Sequence, residues 1–213
     1  MTRAYRPPLA PDAACAAKQQ MGGWWEDVLA GRCTFPIGPL NTWSNVAFLA
    51  AGWAGWALAR SGPALVFALE MSVLAVGSAL YHGFKTVLTD QADEGGMYLV
   101  LSGLATYALA PHLPWIAIAM AVVSMIVTVG ILLGPNWSRY LDPLTGAFIG
   151  VAALALVFRG RYFIAGTALA LLGAAFMAWH DDRDRTFPVP RAGHALWHLL
   201  SAAGLLALFL GLR

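Results

Sequence analysis

Long apolar runs, separated by short polar or proline-bearing stretches, fill the chain from residue 41 to residue 213. A helix that crosses a bilayer needs about 20 mainly apolar residues. Pro63, Pro114 and Pro143 stand at or near the starts of three such runs, where proline is compatible with a helix. The pattern predicts seven helices, roughly Asn41–Ala59, Pro63–His82, Asp93–Ala110, Pro114–Leu133, Asp142–Phe158, Arg161–Trp179 and Ala192–Leu212.

The first 40 residues differ from the rest, because they are polar, contain several prolines and lack the apolar stretch of a signal peptide. Composition agrees with a membrane protein: 59% of residues are hydrophobic and 11% charged, against roughly 25% charged in soluble proteins. We therefore expect an all-α integral membrane protein, with a short polar arm over residues 1–40 and a bundle of seven transmembrane helices over residues 41–213. Glycines such as Gly77, Gly146 and Gly166 are expected to let the helices pack closely.

Basic loop residues predict the orientation of the bundle. One side carries Arg3, Arg6, Lys18, Arg32, Lys85, Arg139, Arg183, Arg185 and Arg191, and the other carries Arg60, Arg159, Arg161 and Arg213. The richer side is expected to be cytoplasmic, which places the N-terminus of this multi-pass protein there. The net charge of +2, without a basic patch, predicts no nucleic-acid partner. The oligomeric state is not predicted.

With seven spans, the second helix ends on the side where the third and the seventh begin. His82, Asp93, His194 and His198 then lie at one depth, and Ser78 lies one turn below His82. The two histidines of the last helix are four residues apart, so they share one helical face. Polar groups inside a membrane are costly and usually face a functional interior.

Three histidine nitrogens with an open fourth position are typical of catalytic zinc, which lowers the pKa of a bound water to about 7 and polarises a carbonyl group. The spacing therefore predicts a zinc site on His82, His194 and His198, with Asp93 able to accept a proton from the water. Taken singly, each histidine is explained equally well as an interfacial residue near a helix end.

Five stretches carry a resemblance to a known family. They are PLNTWSN (39–45), GSALYHGF (77–84), QADEGGMY (91–98), WHDDR (179–183) and HALWHLLSA (194–202). Together they resemble the alkaline ceramidases, seven-span zinc-dependent membrane hydrolases related to the progestin and adipoQ receptors. The resemblance touches the first, second, third, sixth and seventh predicted helices.

The resemblance implies a role for each matched residue. His82, His194 and His198 would bind Zn²⁺, Asp93 would move protons, and Ser78 would contact the reacting centre. The implied reaction is hydrolysis of the amide of a ceramide-like lipid, drawn from the membrane, into a fatty acid and a sphingoid base.

The arm departs from the family pattern. Family members often carry acidic residues associated with calcium at two places that here are Cys33-Thr34 and Gly38-Pro39. Ca²⁺ is therefore not assigned. Asn41, Ser44 and Asn45 match the family's opening motif, where they act either as partners of the metal ligands or as helix caps and interhelical hydrogen bonds.

Several alternatives stay open at this point. Asp90 is a second candidate for the proton-transfer acid, Glu70 either lines the substrate cavity or forms a structural pair, and His180 is read as interfacial. A progestin/adipoQ-type zinc-binding receptor, or a hydrolase of another lipid amide, would share the zinc motif. A bis-histidine haem would need His82 opposite a histidine of the last helix, and a transporter would show inverted repeats, which are not evident.

Overall fold

The computed structural model describes residues 33–134, 141–184, 186, 188 and 192–213. Most of the predicted arm lies outside these residues. All regular secondary structure in the described ranges is helical, as predicted. The helices are α1 (Pro39–Ser44), α2 (Val46–Ala59), α3 (Gly62–Phe84), α4 (Val87–Leu109), α5 (Pro114–Leu133), α6 (Leu141–Phe158), α7 (Tyr162–Arg183) and α8 (Gly193–Leu212).

Four of the described helices are long and apolar enough to cross a membrane, namely Gly62–Phe84, Pro114–Leu133, Tyr162–Asp182 and Gly193–Leu212. A shorter apolar segment covers Leu144–Phe158. The outward faces are apolar as well, and on α5 Val122, Ile126 and Leu133 are all exposed. Soluble proteins rarely expose apolar surfaces of this extent. The chain is therefore a helical membrane protein with several long apolar helices.

The first and the third predicted helices differ most from the observed ones. The first predicted helix is divided, since α1 ends at Ser44 and α2 begins at Val46; between them, the Asn45 side-chain amide donates a hydrogen bond to the Asn41 carbonyl at 2.7 Å. The third helix begins at Val87, because Thr86 and the side chain three residues later form a capping box. Asp93 consequently lies in the second turn of α4, and its predicted place in the first turn is wrong.

The bundle is arranged around α8, which packs against α7, α2, α1, α6 and α4. Helix α3 packs against α4, α2 and α1. Side chains join α3 to α8 at two levels: the Phe67 and Phe209 rings stack with centroids 4.3 Å apart, and His82 meets His194 near the other end. The histidine cluster therefore occupies one end of the space between these two helices.

A glycine contact brings α3 and α4 unusually close together. A Cβ atom added at Gly77 would lie 2.6 Å from the Ala92 carbonyl oxygen, so only glycine permits this approach. The contact sets the next residue of each helix, Ser78 and Asp93, at the same level. Gly146 and Gly166, in contrast, have no described atom within 4 Å of an added Cβ, so the predicted packing role is wrong for these two glycines.

Arginine side chains close the opposite end of the bundle. The Arg159 and Arg161 guanidinium groups donate hydrogen bonds to the carbonyls of Leu212 and Gly211, at the C-terminus of α8. Cations at this end of a helix satisfy its free carbonyls and complement its dipole. This end of α8 is therefore held in place independently of the histidine cluster.

Candidate metal centre

Three histidines meet at one end of the bundle. His82 lies in the last turn of α3, and His194 and His198 lie in the first two turns of α8. All three are buried, and one ring nitrogen from each lies within 4.8 Å of the other two. The Nε2 atoms of His82 and His194 are 3.0 Å apart. The structure thus brings together the three residues that the sequence predicts as metal ligands.

The cluster has the dimensions of a zinc site. Tetrahedral Zn²⁺ bound by nitrogens at 2.0–2.1 Å would hold those nitrogens about 3.3 Å apart. Here the Nε2 atoms of His82 and His194 are 3.0 Å apart, and the three ligand nitrogens all lie within 4.8 Å of one another. Nitrogen-only ligation also favours Zn²⁺ over Mg²⁺ or Ca²⁺, which prefer oxygen. The three histidines can therefore hold a zinc ion after small movements of their side chains.

A hydrogen-bond chain on His198 supplies an independent sign of ligation. Its Nδ1 lies 2.6 Å from Ser44 Oγ, and that hydroxyl donates to the Asn41 carbonyl at 3.2 Å. Donation by the hydroxyl to Asn41 is compatible with the tautomer in which Nδ1–H donates to Ser44, and this tautomer leaves a lone pair on Nε2. This buried Nε2 has no hydrogen-bond partner among the described residues. Such an orphaned nitrogen is costly unless a ligand occupies it.

Helix α1 reaches the site because its N-terminal side is attached to the end of α3. The backbone N–H groups of Ile37 and Gly38 donate to the carbonyls of Gly83 and His82 at 3.1 and 3.0 Å. These bonds satisfy carbonyls that the last turn of α3 would otherwise leave unpaired. One short helix therefore contacts the backbone at the first histidine and, through Ser44, the side chain of the third.

Aromatic rings surround the cluster. Trp197 stacks on His194 with centroids 5.0 Å apart, and Phe48 meets His198 edge-on at 5.7 Å. Tyr81 lies 4.9 Å from the His82 ring. These rings restrict the rotamers of the imidazoles and keep water away from them, which favours a preorganised site.

Ser78 and Asp93, the predicted catalytic residues, form a second group. Both are buried where α3 and α4 make their close contact, and neither Ser78 Oγ nor Asp93 Oδ1 has a hydrogen-bond partner among the described residues. Ser78 lies one turn below His82 on α3, so this pair belongs to the same end of the bundle. Asp93 is not a member of the group whose ligand atoms lie within 4.8 Å of one another. Asp93 therefore lies outside the histidine group.

Lys85 is a functional candidate that the sequence analysis missed. It is only 1% exposed, with Nζ 4.1 Å from the centre of the Tyr81 ring. Its charge acts on all three histidines and on both Asp90 and Asp93. It also adopts the left-handed conformation, with φ of 52°, which is uncommon outside glycine and clusters at functional sites. The available sequence signal was its place three residues after His82 at a helix end.

The remaining polar candidates lie at varying distances from the cluster. Asp90 interacts with Tyr81 and Lys85. Asp182 is fully buried against Gly193, one residue before the second histidine ligand. His180 has an exposed side chain whose Nδ1 lies 3.5 Å from the Asp184 carboxylate, outside the cluster.

A narrow apolar cavity of about 150 Å³ adjoins the aromatic wall. It lies among α2, α3, α4, α6, α7 and α8, and its lining includes Phe48, Leu74, Leu101, Ile149 and Trp197. Phe48 and Trp197 are also the residues that contact the histidines. The cavity therefore begins beside the cluster and continues into the apolar part of the bundle.

Fold and site together define a helical membrane protein with a buried cluster of three histidines suited to a metal ion. No protein-family profile matches the chain, and a search of curated proteins finds no significant match. The geometry of the site and the sequence motifs are therefore the two guides to its function.

Proposed function

We propose that this protein is a zinc-dependent membrane hydrolase that cleaves the amide of a ceramide-like lipid into a fatty acid and a sphingoid base. The observation that carries the proposal is the convergence of His82, His194 and His198, together with the buried Nε2 of His198, which has no hydrogen-bond partner among the described residues. The resemblance of the surrounding motifs to the alkaline ceramidases supplies the substrate class.

The proposal includes seven membrane crossings, made by α2 to α8. Helix α2 has 14 residues but continues the path of α1, and α4 has 23 residues with its polar positions near its start. A polar start suits a helix that contributes Asp93 to a site near the membrane surface. The distribution of lysine and arginine favours a cytoplasmic N-terminus.

Each site residue has a role in amide hydrolysis. When bound by the three histidines, zinc activates a water molecule and polarises the substrate carbonyl. Asp93 accepts a proton from the attacking water and later delivers it to the departing amine, acting first as base and then as acid. Ser78 donates a hydrogen bond to the carbonyl oxygen as negative charge develops there. One water molecule is consumed, the C–N bond breaks, and the acid and amine are released.

The apolar cavity beside the histidines supports the proposal that the substrate is a lipid. Its side chains offer hydrocarbon surface for an acyl chain whose amide group would lie next to Trp197 and the histidines. The amine-bearing part of the lipid would then extend towards Lys85 and Asp90 at the end of α3. The same arrangement would accept other long-chain amides, which is why the assay must compare several.

The experiment is product analysis by the purified, zinc-loaded protein on fluorescent ceramides and on other long-chain amides. Release of labelled fatty acid is expected, and it should stop with a chelator and return with added Zn²⁺. His198→Ala should be inactive, whereas His180→Ala, the matched change outside the cluster, should retain activity. Release that is insensitive to chelator would overturn the zinc mechanism. Stoichiometric zinc without turnover of any lipid amide would favour a progestin/adipoQ-type receptor.

A further inference from the structure

A second cavity lies in the half of the bundle opposite the histidines. Its volume is about 380 Å³, and Glu70 is its acidic lining residue. Glu70 precedes His82 by twelve positions on α3, which corresponds to about 18 Å along a helix. The cavity is therefore separate from the proposed zinc site and from the 150 Å³ cavity beside it.

Helices α3, α4, α5 and α8 line this cavity, and one face of α4 lies against Glu70. Ser102, Gly103, Thr106 and Tyr107 of α4 line it at helical spacing. A Cβ atom at Gly103 would lie 2.5 Å from Glu70 Oε1, so a larger residue would displace the carboxyl group. The absence of a side chain at this position leaves room for the carboxyl group at the cavity wall.

Glu70 has no protein partner in the described part of the chain. No described residue forms a hydrogen bond or an ion pair with its carboxyl group, and burial is the dominant influence on it. A carboxyl group in an apolar environment is costly when it has no partner. The cavity thus presents one hydrogen-bonding acid and otherwise mainly apolar surface, a combination typical of small-molecule sites.

The aromatic lining indicates the chemical class of the ligand. Phe209 stacks on Phe67 at 4.3 Å and on Tyr107 at 5.8 Å, and all three rings line the cavity. Aromatic faces attract organic cations, and a carboxylate pairs with an ammonium group. A metal ion would need several oxygen or nitrogen ligands, whereas this cavity offers one carboxyl group. An organic cation with a hydrocarbon part would pair with the carboxyl group and also contact the aromatic rings.

We propose that the Glu70 cavity binds a lipophilic amine, with its ammonium group on the Glu70 carboxylate and its hydrocarbon part against Phe67, Phe209 and Met125. Volume, charge and aromatic lining all support this class of ligand. The proposal does not depend on the hydrolase function, because the two sites share no residue.

The test compares dodecylamine with dodecanol, which has the same chain without the charge, by calorimetric titration of the full-length zinc-loaded protein in nonionic micelles. Empty micelles are the blank. Saturable binding of the amine alone is expected, with the affinity lowered at least about tenfold in Glu70→Gln. Asp184→Asn, a change at an exposed acid outside the cavity, should bind like wild type.

A second variant distinguishes loss of the binding site from misfolding of Glu70→Gln. Gly103→Ala moves the carboxyl group without removing it, and it should also weaken amine binding while zinc content stays unchanged. Equal binding of dodecanol and dodecylamine, or wild-type affinity in Glu70→Gln, would overturn the proposal. Loss of amine binding upon removal of zinc would equally contradict it, because the cavity would then not be an independent site.

Discussion

Replacing Ser44 by alanine tests the hydrogen-bond chain behind the metal centre. The Ser44 hydroxyl lies 2.6 Å from His198 Nδ1 and also donates a hydrogen bond to the Asn41 carbonyl at 3.2 Å. In Ser44→Ala the imidazole loses the partner that fixes its tautomer and its orientation. The helix itself should remain, because alanine is the best helix former.

The expected magnitude follows from the function of such partners in metal sites. Removing a hydrogen bond to a ligand histidine typically lowers metal affinity 10- to 100-fold, about 1.4 to 2.8 kcal/mol. Folding stability should fall by only about 1 kcal/mol, the net value of one ordinary hydrogen bond. Metal affinity and stability are therefore expected to respond differently to this single change.

The assay is competition for Zn²⁺ between the purified protein and a chromophoric chelator. Ser72→Ala is the matched control, since Ser72 makes a hydrogen bond of the same 2.6 Å length, to the Ala68 carbonyl in α3, away from the histidines. Ser44→Thr retains a hydroxyl and should recover part of the affinity. Zinc affinities of Ser44→Ala and Ser72→Ala within twofold of each other would refute the proposed role of Ser44.

Three further predictions concern ligands, chemistry and packing. His194→Ala should reduce bound zinc, measured by mass spectrometry, to background, whereas His112→Ala, in the turn after α4 beside Arg159 and Arg161, should leave it unchanged; equal loss in both would contradict the site. Asp93→Asn should keep its zinc but lose at least about 100-fold in turnover of a fluorescent lipid amide, and full turnover would exclude Asp93 as the proton carrier. Gly77→Ala should destabilise the bundle by about 1–3 kcal/mol through overpacking, while Gly166→Ala, with open space around it, should not lower the midpoint of thermal unfolding.

The sequence was sufficient to predict which histidines meet, and the reason is topological. The spacing of His194 and His198 places both on one helical face. The prediction of an even number of helices between the second and the last one placed His82 on the same side. Neither inference requires knowledge of side-chain packing, so both were accessible without a structure.

The partners of those histidines were much less predictable. Ser44 reaches His198 only because the first predicted helix divides at Asn45 and because α1 is attached to the end of α3. From the sequence, Lys85 is interpreted as a solvated cation in a loop. In the structure it packs over the Tyr81 ring and is buried. Both features depend on contacts between segments, which apolar periodicity does not encode. The start of α4 was misjudged for a related reason, because a capping box extends a helix through polar residues.

The position of the histidines along the chain has a consequence for biosynthesis. His82 and His194 are 112 residues apart, and Ser44 and His198 are 154 residues apart. At 5–20 residues per second, a ribosome needs about 6–22 s to travel from the first ligand to the second. During that interval the nascent chain holds one imidazole of the cluster without the other two. Zinc capture would therefore be a late event of assembly, and zinc retained after purification would report that α8 has joined the earlier helices.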